Sequence, residues 1–133
     1  MRKEWSKAAI DGDQETISRL LTEGVDINSL DKYGQTALML AALYGADEVV
    51  RVLLSNGADK NVTAKYRLSA LMLAAVNHRT DIAKQLIDAD ADLSIRGSGA
   101  WGFIGKTAHD LAIDAGMSEL AAYIARAGRL NQI

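Results

Sequence analysis

The sequence predicts an all-α solenoid of four stacked helix–turn–helix units, joined by short β-turn or hairpin-like loops. Three observations carry that expectation. GQTALMLAALYG at 34–45 returns as RLSALMLAAVNH at 67–78, and LLSNGADKN at 53–61 returns as LIDADADLS at 86–94, both after 33 residues. A period of that size marks an architecture of stacked repeats. Apolar residues fill 49% of the 133 positions but aromatics only 5%, so the interior must be built from Leu, Ala, Ile and Val. That palette suits closely packed helices better than aromatic-rich strands. Finally, the irregular copies stand at the two ends, where a repeat array needs units with a polar outer face.

The four units divide one domain, 1–133. Residues 1–30 are a truncated first unit, since SKAAIDGDQETISRLLTEGVDIN at 6–28 matches the regular units only from Ala41 onward. Residues 31–63 and 64–96 are regular. Residues 97–133 form the last unit: GKTAHDLAIDAG at 105–116 follows its predecessor after 38 residues, so five have been inserted, near 97–105.

Within the second unit each element has a local cause. Thr36 is placed to cap a first helix by accepting from backbone N–H groups of its first turn. Ala37, Leu38, Leu40, Ala41 and Ala42 then give a short helix whose small residues let neighbours approach. Gly45 ends it, because the turn needs a left-handed residue. Asp47 and Glu48 open the second helix at its positive dipole end. Val49, Val50, Val52, Leu53 and Leu54 supply its apolar face, and Gly57 stops it before Ala58-Asp59-Lys60-Asn61 turns onward. Helices shorter than about 12 residues are marginal alone in water, so each unit must stack on its neighbours.

A 33-residue period with G-x-T-x-L, paired alanines, glycine, a second apolar stretch and GADxN resembles the ankyrin repeat, from about Trp5 to Gly128. The usual T-P-L-H of that family reads Thr36-Ala37-Leu38-Met39, then Ser69-Ala70-Leu71-Met72, then Thr107-Ala108-His109-Asp110. Alanine keeps a good helix former where proline would pre-set the first turn. The family's histidine helps bond the turns together, which methionine is not expected to do. The uniform TALMLAA wording is similar to that of prokaryotic ankyrin proteins. The third unit departs furthest, with Arg67, His78 and Asp90 where the second has Gly34, Gly45 and Gly57. Three non-glycine residues at left-handed positions make it the expected least rigid unit.

The resemblance implies a non-catalytic protein–protein interaction module, an adaptor, inhibitor or regulator. It implies that a partner lies across a concave groove lined by turn tips and first helices. Matched residue by residue, these positions are Lys32, Tyr33, Gln35, Leu43 and Tyr44 in the second unit, and Lys65, Tyr66, Leu68, Val76 and Asn77 in the third. The fourth offers Trp101, Phe103, Lys106 and Asp114, and the first Lys7, Ile10 and Asp11. Five of the seven aromatic residues fall in this set, and Tyr and Trp are the residues that anchor partners. The plainer reading is that Tyr33 and Tyr66 cover the seams between repeats; the two roles are compatible. The inserted segment combines four pliable glycines (97, 99, 102 and 105) with apolar Trp101, Phe103 and Ile104. It either folds over the last helix pair as part of the cap or meets a partner.

Little points to catalysis. His109 takes the place of Leu38 and Leu71, which predicts a core histidine; a catalytic pair with Asp110 is the sharper alternative, weakened because adjacent helical residues do not face each other. RGSGAWGFIGKT at 96–107 ends in Gly-Lys-Thr, but Ala100 stands where a phosphate loop needs its first glycine and no buried strand precedes it. With no cysteine, and with His78 and His109 at non-equivalent positions, no metal or other cofactor is expected.

The net charge of −2 comes without a basic stripe along the sequence, so neither nucleic acid nor membrane is the expected partner. Another protein is, with the lysines favouring an acidic rim on it. The chain is expected to be monomeric alone. No run of about 20 apolar residues and no signal peptide is visible, which points to the cytoplasm, or to the periplasm or secretion if a signal peptide has been removed. The alternatives are a small-ligand or enzymatic role using the 97–105 loop, and a host-directed effector.

Overall fold

A computed structural model describes residues 1–99 and 101–130. Its helices, in chain order, are α1 (Lys3–Asp11), α2 (Gln14–Thr22), α3 (Ala37–Tyr44), α4 (Asp47–Ser55), α5 (Ala70–Val76), α6 (Thr80–Asp88), α7 (Ala108–Asp114) and α8 (Ser118–Leu130). They form four antiparallel pairs. The first helices of the pairs pack in one row, α1 on α3 on α5 on α7, and the second helices in another, α2 on α4 on α6 on α8. Each pair is closed by contact between its own two members, so the all-α repeat solenoid is the observed fold.

The two rows differ because their sequences do. In α3, Ala37 to Ala42 are all buried, and α5 buries Ala70, Leu71, Met72, Ala74 and Ala75. A helix buried nearly all round carries no polar stripe. Ala8, Ala9, Ala41, Ala42, Ala74, Ala75 and Ala112 are small enough for successive inner helices to close up. The outer helices are amphipathic instead: α4 buries Val49, Val50 and Leu53 while Asp47, Glu48 and Arg51 stay exposed.

One hydroxyl starts the inner helix of each unit after the first. Thr36 Oγ1 accepts from the Met39 N–H at 3.2 Å, Ser69 Oγ from Met72 at 3.3 Å, and Thr107 Oγ1 from Asp110 at 3.3 Å. Thr36 and Ser69 are buried, so these caps have no competing water, and removing one costs about 1 kcal/mol. One expectation is corrected here. Met39 does reach back to the turn: its Sδ accepts the Thr36 N–H at 3.5 Å, and in the last unit Asp110 does the same for Thr107 N–H at 3.0 Å.

The left-handed positions read from the sequence are left-handed. Arg67 (φ 56°), His78 (φ 58°) and Asp90 (φ 64°) take the backbone that Gly34, Gly45 and Gly57 adopt in the second unit. Tyr66 (φ 60°) is a fourth such residue, unforeseen because its counterpart Tyr33 is not one.

A second periodic device joins the repeats on the far side of each outer helix. Asp59 N–H donates to Asn28 Oδ1 and Asp92 N–H to Asn61 Oδ1, both at 2.8 Å. Asn28 and Asn61 thus tie each GAD turn to the next, and Ser94 ends the series by bonding its own Asp92 at 2.6 Å.

Candidate functional site

The tips that precede α3 and α5 begin from the same pattern but fold differently. In the second unit Asp31 organises the turn: its carboxylate accepts the N–H groups of Tyr33 and Gln35, both at 2.9 Å. The third unit has Ala64 at that place and no side-chain acceptor. Both turns share one pair of backbone bonds: Gly34 N–H to Asp31 O and Asp31 N–H to Gln35 O in the second unit, Arg67 N–H to Ala64 O at 2.9 Å and Ala64 N–H to Leu68 O at 3.1 Å in the third. In the third, however, Tyr66 is left-handed as well as Arg67.

The inserted segment completes this second tip. It folds as a tight loop, Gly97 N–H donating to Lys106 O and Gly105 N–H to Gly97 O, both at 2.9 Å. Arg96 Nη1 donates to Gly105 O at 2.6 Å and holds the loop's base. Ser98 N–H then donates to Tyr66 O at 2.8 Å, and the Phe103 ring lies against the Tyr66 ring with centroids 5.5 Å apart. The loop therefore covers the tip of the preceding repeat rather than the last helix pair. Its own summit stays in water: Trp101 is 99% exposed.

The matched positions fall into distinct roles. Tyr33, Tyr44 and Trp101 are exposed, at 65%, 52% and 99%. Lys32 and Lys65 are exposed and lie over the rings of their neighbours, Lys32 Nζ 5.1 Å from the Tyr33 centroid and Lys65 Nζ 4.9 Å from that of Tyr66. Gln35, Leu43, Tyr66 and Phe103 are half-buried. Asn77 is half-buried too, and its amide donates to Leu73 O at 2.8 Å, so it closes the end of α5. Leu68 is withdrawn from the contact surface: it is 5% exposed, because an apolar side chain following Tyr66 and Arg67 is driven beneath them, whereas Gln35 at the matching place is not. In the outer units, Lys7 pairs with Asp11 at 2.5 Å and Lys106 with Asp114.

Under each tyrosine tip there is a depression. One, of about 460 Å³, lies between Ile10, Lys32, Tyr33 and Leu40. The other, of about 250 Å³, lies under Tyr66 and Phe103 and is floored by Leu68, Leu73 and Val76, with Gln35 at its edge. Leu40 and Leu73 stand 33 positions apart and were missed from the sequence. That shared offset from the tyrosines is the signal that could have found them.

His109 is a correction. Its side chain is 42% exposed, not a core group, because no helix pair among the described residues stacks beyond α7 to cover the position where Leu38 and Leu71 are buried. Its Nδ1 lies 4.0 Å from Asp110 Oδ1, and that aspartate is committed to the start of α7. The Thr107 N–H holds the Asp110 carboxyl below its ordinary value, which keeps it an acceptor for the cap and a poor base.

A family model described as ankyrin repeats (3 copies) matches residues 5–97, well over half of the sequence. The chain belongs to the ankyrin-repeat family. The matched stretch takes in most of α1 and all of α2 to α6, and beyond it α7 packs on α5 and α8 on α6. No curated protein matches the sequence significantly. Ankyrin repeats are generally non-enzymatic modules that bind other proteins. No helix of the described residues is long and apolar enough to cross a membrane.

Proposed function

We propose that this chain is a non-catalytic interaction module that grips a partner protein across its turn tips and inner helices. One observation carries the reading. Tyr33, Tyr44 and Trp101 leave most of their surface in water although the core has almost no aromatic residues of its own. Large rings held in water have no folding role to fill, and rings of this kind dominate binding energies when a partner buries them. The partner-binding set is Lys32, Tyr33, Gln35, Leu43, Tyr44, Lys65, Tyr66, Trp101 and Phe103, with Leu68 as floor and Asn77 as a helix stop beside it.

The test uses the two exposed rings whose removal leaves the fold alone. Tyr33→Ala/Trp101→Ala is expected to melt with the parent protein. Chemical cross-linking of the parent chain in an extract of its own cells should yield protein adducts that this variant fails to form. Adducts that persist at full yield in the variant would sink the reading.

A further inference from the structure

The tips share a charge pattern that the linear sequence conceals. Segments 29–36, 62–69 and 95–107 hold five of the 15 basic residues (Lys32, Lys65, Arg67, Arg96 and Lys106) and one of the 17 acidic ones, Asp31. Their net charge is therefore +4 in a chain whose total is −2. Repeat stacking gathers these residues, which are spread along the sequence, on one edge of the molecule. Lys106 is neutralised by Asp114, and the Asp31 carboxylate is occupied by two backbone N–H groups. Lys32, Lys65 and Arg67 pair with no carboxylate among the described residues.

Lys32 lines the depression under the tip of the second repeat. Lys65, with Arg67 following on the same tip, lines the depression roofed by Tyr66 and Phe103, with Leu68, Leu73 and Val76 inside it. Its 250 Å³ is too small for the pockets of about 300–1,000 Å³ that take drug-sized ligands. A dry apolar cavity of about 150 Å³ accepts benzene, so this one suits a single large apolar side chain.

We infer that the cleft between the tip of the third repeat and the inserted loop is a socket for one apolar side chain of an acidic peptide segment, whose carboxylates meet Lys32, Lys65 and Arg67. The inference rests on the interaction-module reading and adds the chemistry of the partner. Charge complementarity selects an acidic strand over a basic one, because like charges brought together cost affinity and slow encounter. It also selects a peptide over single-stranded nucleic acid. Within the cleft no ring face is free to stack a base: the Tyr66 ring is already occupied by Phe103 and by the Lys65 ammonium, and the exposed rings of Tyr33, Tyr44 and Trp101 do not line it.

The experiment is selection of a displayed library of random peptides, about 12 residues long, on the full chain, followed by fluorescence anisotropy of the selected peptides. The expected winners are acidic, with one apolar residue whose replacement by Ala weakens binding about tenfold or more. Lys32→Glu/Lys65→Glu, both at exposed positions, should melt like the parent and lose about tenfold or more in affinity, as should the parent in raised salt. Winners that are neutral or basic, yet lose binding on Tyr33→Ala/Trp101→Ala, would overturn the acidic-anchor inference and leave the interaction module standing. Peptides indifferent to every tip substitution would overturn both. Displacement of the peptides by oligouridine at comparable concentration would overturn the inference in favour of nucleic acid.

Discussion

Tyr66 and Phe103 stack with their ring centroids 5.5 Å apart and their planes inclined by 35°, joining the tip of the third repeat to the loop inserted before the fourth. The same loop sends Trp101 into solvent. Two aromatic residues two positions apart therefore have separable roles, one in holding the loop and one in reaching outward.

That separation is measurable. An aromatic pair contributes about 0.5–1.5 kcal/mol beyond its buried area, so Phe103→Ala should lower Tm by several degrees. Trp101→Ala should leave Tm within about a degree while weakening partner binding, since exposed positions away from packed features change stability little. Parallel thermal melts check this. A large fall for Trp101→Ala with binding intact would contradict the assignment.

Gly97 is required by close approach. A Cβ there would stand 2.4 Å from the Phe103 carbonyl oxygen, and backbone cannot move aside as a flexible side chain can. Gly97→Ala is expected to cost about 1–3 kcal/mol, the usual range for overpacking, and to free Phe103 from Tyr66. Near-ultraviolet circular dichroism and a thermal melt would report both.

Arg67 is left-handed where Gly34 serves in the second unit. Relief of that strain is worth about 1–2 kcal/mol, less about 0.4–1 kcal/mol for the freer unfolded chain, so Arg67→Gly should stabilise by about 0.5–1 kcal/mol. The parent protein should exchange amide hydrogens fastest in 64–96. Finding that stretch the best protected would refute the argument.

Acid should destabilise the protein through two aspartates whose carboxylates hold backbone turns. The Thr107 N–H lowers the Asp110 carboxyl, and the Ser94 hydroxyl lowers that of Asp92, from a reference of 3.8. A folded value below the unfolded one adds stability at pH above the reference, and that stability is lost as pH falls through the folded value. Tm is thus expected to be flat from about pH 7 to 5 and to fall below about pH 4. Asp110→Asn keeps an oxygen for the cap and should make the fall shallower.

How far the sequence could be read depends on whether a feature repeats. Thr36, Ser69 and Thr107 recur at matching places, so the caps were legible, as were the left-handed residues Arg67, His78 and Asp90. Tyr66 was not, because its conformation follows from what Ala64 lacks rather than from any motif of its own. Leu68 looked like a surface residue through its match with Gln35, and His109 like a core residue through its match with Leu71. Position in a repeat predicts burial only where a neighbour is present on that side.

By itself the sequence determined the period, the helix pairs and the all-α stack, because short apolar helices spaced 33 residues apart have nowhere to bury their faces except against each other. Tertiary structure alone decided which aromatics reach solvent, that Phe103 closes on Tyr66, and that Lys32, Lys65 and Arg67 share one edge. Those relations join residues of different repeats, and the distance between two repeats is set by packing, which no local pattern records.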